Sequence, residues 1–154
     1  VMNRPSLSLE FTRKMNKIAL SLITVSTIFF IAGCGASKVQ VAGKLVWADG
    51  KPATELANGQ IIFESSETRT SARGVIQPDG TFRINTEGPN DGVLPAVYNI
   101  AIVEHRPAPE GTTKLPPQHL PDNYYSFTTS GLTVTVSNGK NVPTVTVNRF
   151  ERNK

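Results

Sequence analysis

The stretch LTVTVSNGKNVPTVTV, residues 132–147, decides the fold. Residues 132–137 alternate apolar and polar side chains, and residues 144–147 do so again. A period of two places every second side chain on the same face, which is the signature of a half-buried β-strand. Between the runs, Asn138-Gly139-Lys140-Asn141 supplies the residue types that turn a chain. Valine and threonine are β-branched and fit a pleated surface.

The same pattern recurs on the N-terminal side. Residues 39–47 place Val39, Val41, Leu45 and Trp47 on one face, and Asp49-Gly50-Lys51-Pro52 ends the run. Residues 60–64 (QIIFE) and 72–76 form two further runs. Pro78-Asp79-Gly80 is a tight turn, because proline presets one dihedral and glycine accepts a positive one. Residues 81–86 follow, with Phe82 and Ile84 opposite Arg83 and Asn85. Residues 97–103 are apolar on both faces except at Asn99, which predicts a central, covered strand. No amphipathic helix interrupts the series. About seven short strands separated by turn signals predict an all-β fold, an antiparallel β-sandwich of the transthyretin-like or immunoglobulin-like kind. The expected core is Val41, Leu45, Trp47, Ile61, Phe63, Val75, Phe82, Ile84, Tyr98, Ile100, Ile102, Leu132, Val134, Val136, Val145 and Val147.

The first 33 residues read differently. Met15-Asn16-Lys17 is a short cationic head, and residues 18–31 carry no charge, proline or glycine. That run is roughly 14 residues, against the ~20 that a membrane-spanning helix needs. A charged head, a short apolar run and small residues make a signal peptide. Met15 is a better natural start than Val1-Met2, so residues 1–14 are either an over-extended start or a long leading region. Ile31-Ala32-Gly33-Cys34 resembles the lipobox of bacterial lipoproteins. That resemblance implies a lipidated Cys34, cleavage before it and an anchor in the membrane. Acyl chains contribute ~0.8 kcal/mol per buried CH₂, and two or more hold a protein stably. Gly35 follows the cysteine where an Asp marks inner-membrane retention, so the analogy favours the outer membrane. Residues 34–38 then form a tether of roughly 14 Å at most, and residues 39–150 form the sandwich.

The leader also owns the charge. The chain has 16 Lys+Arg and 12 Asp+Glu. Arg4, Arg13, Lys14, Lys17 and Glu10 precede Cys34, which leaves 12 bases and 11 acids after it. A net charge of +1 gives no global attraction for nucleic acid. Cys34 is the only cysteine, so no disulfide or cysteine-ligated metal site is available.

Across nearly the whole remaining chain, the motifs GKLVWADGKPATELANGQIIFES, ARGVIQPDGTFRINT and GVLPAVYNIAIV resemble the carboxypeptidase regulatory-like domain, a transthyretin-like sandwich. Ala96 replaces the glycine usual in that family's last motif. The ending LPDNYYSFTTSGLTVTVSNGKN is similar to that of small lipoproteins of the same kind. The resemblance implies a non-catalytic accessory, adhesion or scaffold module with no cofactor.

The residues themselves offer little chemistry. Residues 104–127 form a long insertion holding Pro107, Pro109, Pro116, Pro117 and Pro121, and loops of that length are uncommon unless functional or mobile. Both histidines, His105 and His119, lie in it. With Glu104, Glu110 or Asp122 they give a rival reading as a metal-assisted hydrolase, but their spacing is irregular, and we assign no catalytic or metal residues. No G-x-S-x-G occurs, and turn chemistry accounts for the Asp-Gly pairs. Tyr124, Tyr125 and Phe127 are the candidate binding aromatics, for stacking on a glycan or anchoring a protein partner in the envelope. The plainer account has one or two of them folding back over an open end of the sandwich.

Overall fold

The computed structural model describes residues 37–151. The expectations for the signal peptide, the lipobox residues Ile31, Ala32 and Gly33, and Cys34 lie outside them. Seven strands form: β1 (Val41–Trp47), β2 (Gln60–Ser65), β3 (Thr70–Val75), β4 (Thr81–Ile84), β5 (Ala96–Val103), β6 (Thr133–Val136) and β7 (Thr144–Val147). A short 3-10 turn, Thr54–Leu56, precedes β2, and another, Asp122–Tyr125, lies in the insertion. The strands make an all-β sandwich of two sheets, one ordered β4-β1-β7 and the other β3-β2-β5-β6.

The two tandem valine-threonine runs, β6 and β7, end up in different sheets. β6 pairs antiparallel with β5, with Tyr98 opposite Val134, whereas β7 pairs with β1. The β1–β7 pairing is parallel, with Leu45 opposite Val145, so the sandwich is not wholly antiparallel as expected. The turn at residues 138–141 carries the chain from one sheet to the other, and Asn141 braces it. Its side chain donates to the carbonyls of Ser137 and Gly139 and accepts the Ser137 N–H.

The core forms where the two inner faces meet. Val41, Leu45, Trp47, Phe63, Ile84, Tyr98, Ile100 and Ile102 are all buried. Phe63 of one sheet lies edge-on to Phe82 of the other, with ring centroids 6.2 Å apart. Tyr98 joins them at 5.8 Å and donates its hydroxyl to the Leu94 carbonyl, so the buried phenol has a partner. Gly43 lets Phe82 sit there: a side chain at that position would collide with the Phe82 ring and the Pro143 carbonyl.

Three expectations are corrected. Val75 is not core; it is 49% exposed, and Ile76 is the inward residue. On β3 the inward parity is Ala72, Gly74 and then Ile76, while Val75 shares the outer face with Arg73. The outer face of β5 is not covered throughout, since Val97 is 52% and Val103 42% exposed. Leu132 and Val134 pack against the core but are only partly buried.

One side of the sandwich is closed. Arg73 on the edge of the larger sheet exchanges both backbone hydrogen bonds with Asn85, just past β4 of the smaller one, at 2.9 and 3.0 Å. Gly74 makes this approach possible, because a Cβ there would strike the Arg83 carbonyl. Gly74→Ala should therefore cost about 1–3 kcal/mol of stability through overpacking. Val75→Ala should cost less than about 0.5 kcal/mol, as for other exposed positions. Urea unfolding of the two variants checks the difference.

Candidate functional site

The described domain has two distinct ends. At the entry end, Val39 bridges to Val93, and Lys38 forms an ion pair with Asp91 at 2.9 Å. Asp91 also accepts the backbone N–H groups of Thr86, Glu87 and Gly88, which fastens the 86–92 loop around one carboxylate. These hydrogen bonds, first from Glu87 and then from Lys38, hold the Asp91 carboxyl well below the usual carboxylate range. The start of β7 belongs to this end as well, since Val41 bridges to Asn141.

At the opposite end β1, β5 and β7 finish and β2 begins, as the pairing of Gln60 with Val103 and of Trp47 with Val147 shows. The long insertion leaves from here. Its base is clamped by Glu104, whose side chain is only 3% exposed. The carboxylate accepts the N–H groups of His119 (3.0 Å) and Leu120. Arg106 closes a second rung, donating through Nε (3.0 Å) and Nη2 (2.6 Å) to the Pro116 carbonyl. Beyond that rung residues 107–115 are exposed, and they turn where Thr112 N–H meets the Pro109 carbonyl. Residues 107–115 are thus an exposed finger on a fixed base.

Tyr124 sits in the core, 6% exposed, and its hydroxyl accepts the Asn148 N–H at 3.1 Å. Its ring has no open face for a ligand. Tyr125 packs on the core edge, where burial and then the nearby Glu104 charge push its phenol up to about 12. Tyr125 and Phe127 are half-buried and keep some accessible surface. His105 is exposed, and His119 Nδ1 lies 3.5 Å from Glu104. Among the described residues, no group of three or more His, Cys, Asp or Glu side chains is placed to hold a metal ion.

A second constellation at this end escaped the sequence reading. The Trp47 indole donates to Glu55 at 2.9 Å, and Arg149 donates to the same carboxylate at 2.6 Å. The Arg149 guanidinium lies 4.2 Å above the Trp47 ring, within cation–π range. The C-terminal segment is also tied to the insertion, because Phe150 N–H donates to the His119 carbonyl at 2.6 Å. Trp47, Asp49, Pro121, Asn148 and Phe150 line a shallow open groove here. Arg149 and Glu55 are 94 positions apart, so no spacing rule could have joined them. Glu104 left a fainter trace, as a charged residue set directly after an apolar strand.

No family model, curated protein or solved structure matches this chain.

Two outcomes test this geometry. Replacing Glu104 with Leu leaves two amides without an acceptor. Each such loss costs about 1–3 kcal/mol, so hydrogen exchange at His119 and Leu120 should accelerate while the strands keep their protection. The second test is acid titration. Burial alone would raise Glu55, but the hydrogen bonds from Arg149 and Trp47 prevail and bring it from 4.5 to about 2. A depressed carboxyl stabilises the fold above its unfolded value, and that contribution fades as pH falls from about 4.5 toward 2. Glu55→Gln should flatten part of the decline in melting temperature across that window.

Proposed function

We propose that this chain is a lipid-anchored β-sandwich module of a bacterial cell envelope, held to the membrane through Cys34 and acting by binding or as a structural part rather than by catalysis. The carrying observation is the lipobox: Ile31-Ala32-Gly33-Cys34 follows a short apolar run and stands four residues before Lys38. Lys38 is the residue whose ion pair with Asp91 fastens the start of the sandwich. In this reading residues 34–38 let Lys38, at the start of the sandwich, lie no more than roughly 14 Å from the lipidated cysteine. Gly35 favours the outer membrane by analogy with known lipoproteins.

The two-ended layout supports the reading. The chain enters the sandwich beside the 86–92 loop, and the proline-rich finger leaves from the other end, which keeps it clear of the entry point and open to a partner. A protein or glycan of the envelope is the class of partner that a protruding loop flanked by Tyr125 and Phe127 suits. Tyr124 takes no part in that contact, since it is buried. The order of turn motifs and strands makes a carboxypeptidase regulatory-like domain the preferred family assignment, and the non-enzymatic role follows from it.

Metabolic labelling with a palmitate analogue tests the anchor. The wild-type chain should take up label and partition with membranes. Cys34→Ala should do neither. Label that persists in Cys34→Ala defeats the proposal.

A further inference from the structure

We propose that the β6 edge is a self-pairing surface: two copies of this chain join β6 to β6 antiparallel about a two-fold axis at Val134, fusing their four-stranded sheets into one. Four observations lead there. First, the edge has unused backbone groups. Tyr98 stands opposite Val134, and Ile100 N–H donates to the Leu132 carbonyl. In an antiparallel ladder this turns the N–H and C=O of Leu132, Val134 and Val136 toward β5 and those of Thr133 and Thr135 outward. Among the described residues nothing bonds to those outward groups.

Second, the edge is neutral. Residues 131–137 carry no charge, no proline and no lysine, the devices that normally blunt an edge. The edge strands on the other side, β3 and β4, carry Arg73 and Arg83 and are closed against each other. A two-fold pairing sets like residues at and near the axis against each other, so an uncharged edge pairs with itself without like-charge repulsion.

Third, β6 has apolar surface left to cover. The larger sheet is one strand wider than the smaller, and Leu132 and Val134 point inward yet stay partly exposed. β7, the other open edge, lacks this feature: Val145 and Val147 are 6% and 1% exposed.

Fourth, the register closes on itself. With the axis at Val134, Thr133 of one copy faces Thr135 of the other, and each threonine offers one donor and one acceptor to its opposite number. The Val134 pair meets across the axis as a non-hydrogen-bonded pair, with Cα atoms about 4.5 Å apart. The two half-covered valines then shield each other.

Cross-linking of the purified full chain tests the proposal. In a Cys34→Ala background an introduced cysteine is the only thiol, so the result does not depend on lipidation and cannot be confused with failure of the anchor. Mild oxidation should convert Val134→Cys to a disulfide dimer of doubled mass. Val97→Cys, exposed on the outer face of β5, should stay monomeric. Adding Thr135→Pro to Val134→Cys should abolish the dimer, because that N–H points outward and the monomer loses no ladder bond. The proposal fails if Val134→Cys cross-links no faster than Val97→Cys, or if Thr135→Pro leaves the cross-link intact. It fails equally if cysteine-free protein sediments as a monomer at every concentration. Those results would leave the edge to a strand from a different protein.

Discussion

Four strands on one sheet face three on the other, and the molecule is arranged around that mismatch. At one side the difference is absorbed by contact. Gly74 brings β3 so close to Arg83 that Arg73 and Asn85 exchange backbone bonds, and the two sheets become nearly continuous. At the other side β6 is the outermost strand of the larger sheet, and Leu132 and Val134 keep part of their surface open while Val136 is buried. Between them the core is complete, with Phe63, Phe82 and Tyr98 joining the sheets through tilted and edge-on rings. Apolar side chains on both inner faces drive this closure, and only a packing that leaves few voids holds it in one arrangement.

Irregular segments cannot use a ladder to satisfy their backbone, and here carboxylates serve instead. Asp91 gathers three amides of the 86–92 loop, and Glu104 gathers two at the base of the insertion. Both residues look like ordinary polar loop positions in the sequence. Their effect is to make long loops start and end at fixed points, so that a proline-rich finger projects from one end while the chain enters at the other. The C-terminal segment adds a third fastening through Arg149, Glu55 and Trp47, although exposed ion pairs of this kind are individually worth about 0–1 kcal/mol.

Strand existence was legible because the period-two signal is local. Each of the seven runs needs only its own four to eight residues to declare itself. Turns were legible for the same reason: the Asn138-Gly139 and Asp79-Gly80 turns depend on glycines with positive φ. Local signals failed where both parities of a strand carry apolar residues. On β3 Val75 and Ile76 are adjacent and both apolar, and only Arg73, on the same parity as Val75, marks the outer face. On β5 only Asn99, on the same parity as Val97 and Val103, marks the open outer face, and the valines around it hide that mark. Of the candidate aromatics, Tyr124 and Tyr125 have the same sequence neighbourhood, yet one is core and the other lies at its edge.

The sequence by itself thus determined the class of fold, the number of strands, the position of the turns and the extent of the long insertion, because each rests on residues close together in the chain. The tertiary structure alone decided how those strands are shared between sheets, that β1 and β7 run parallel, which edge stays open, and which distant groups meet, as Arg149 meets Glu55 and Trp47. These depend on contacts between segments tens of residues apart, and such contacts are set by the packing of the whole core and by the need to satisfy each buried polar group. No local pattern contains that information.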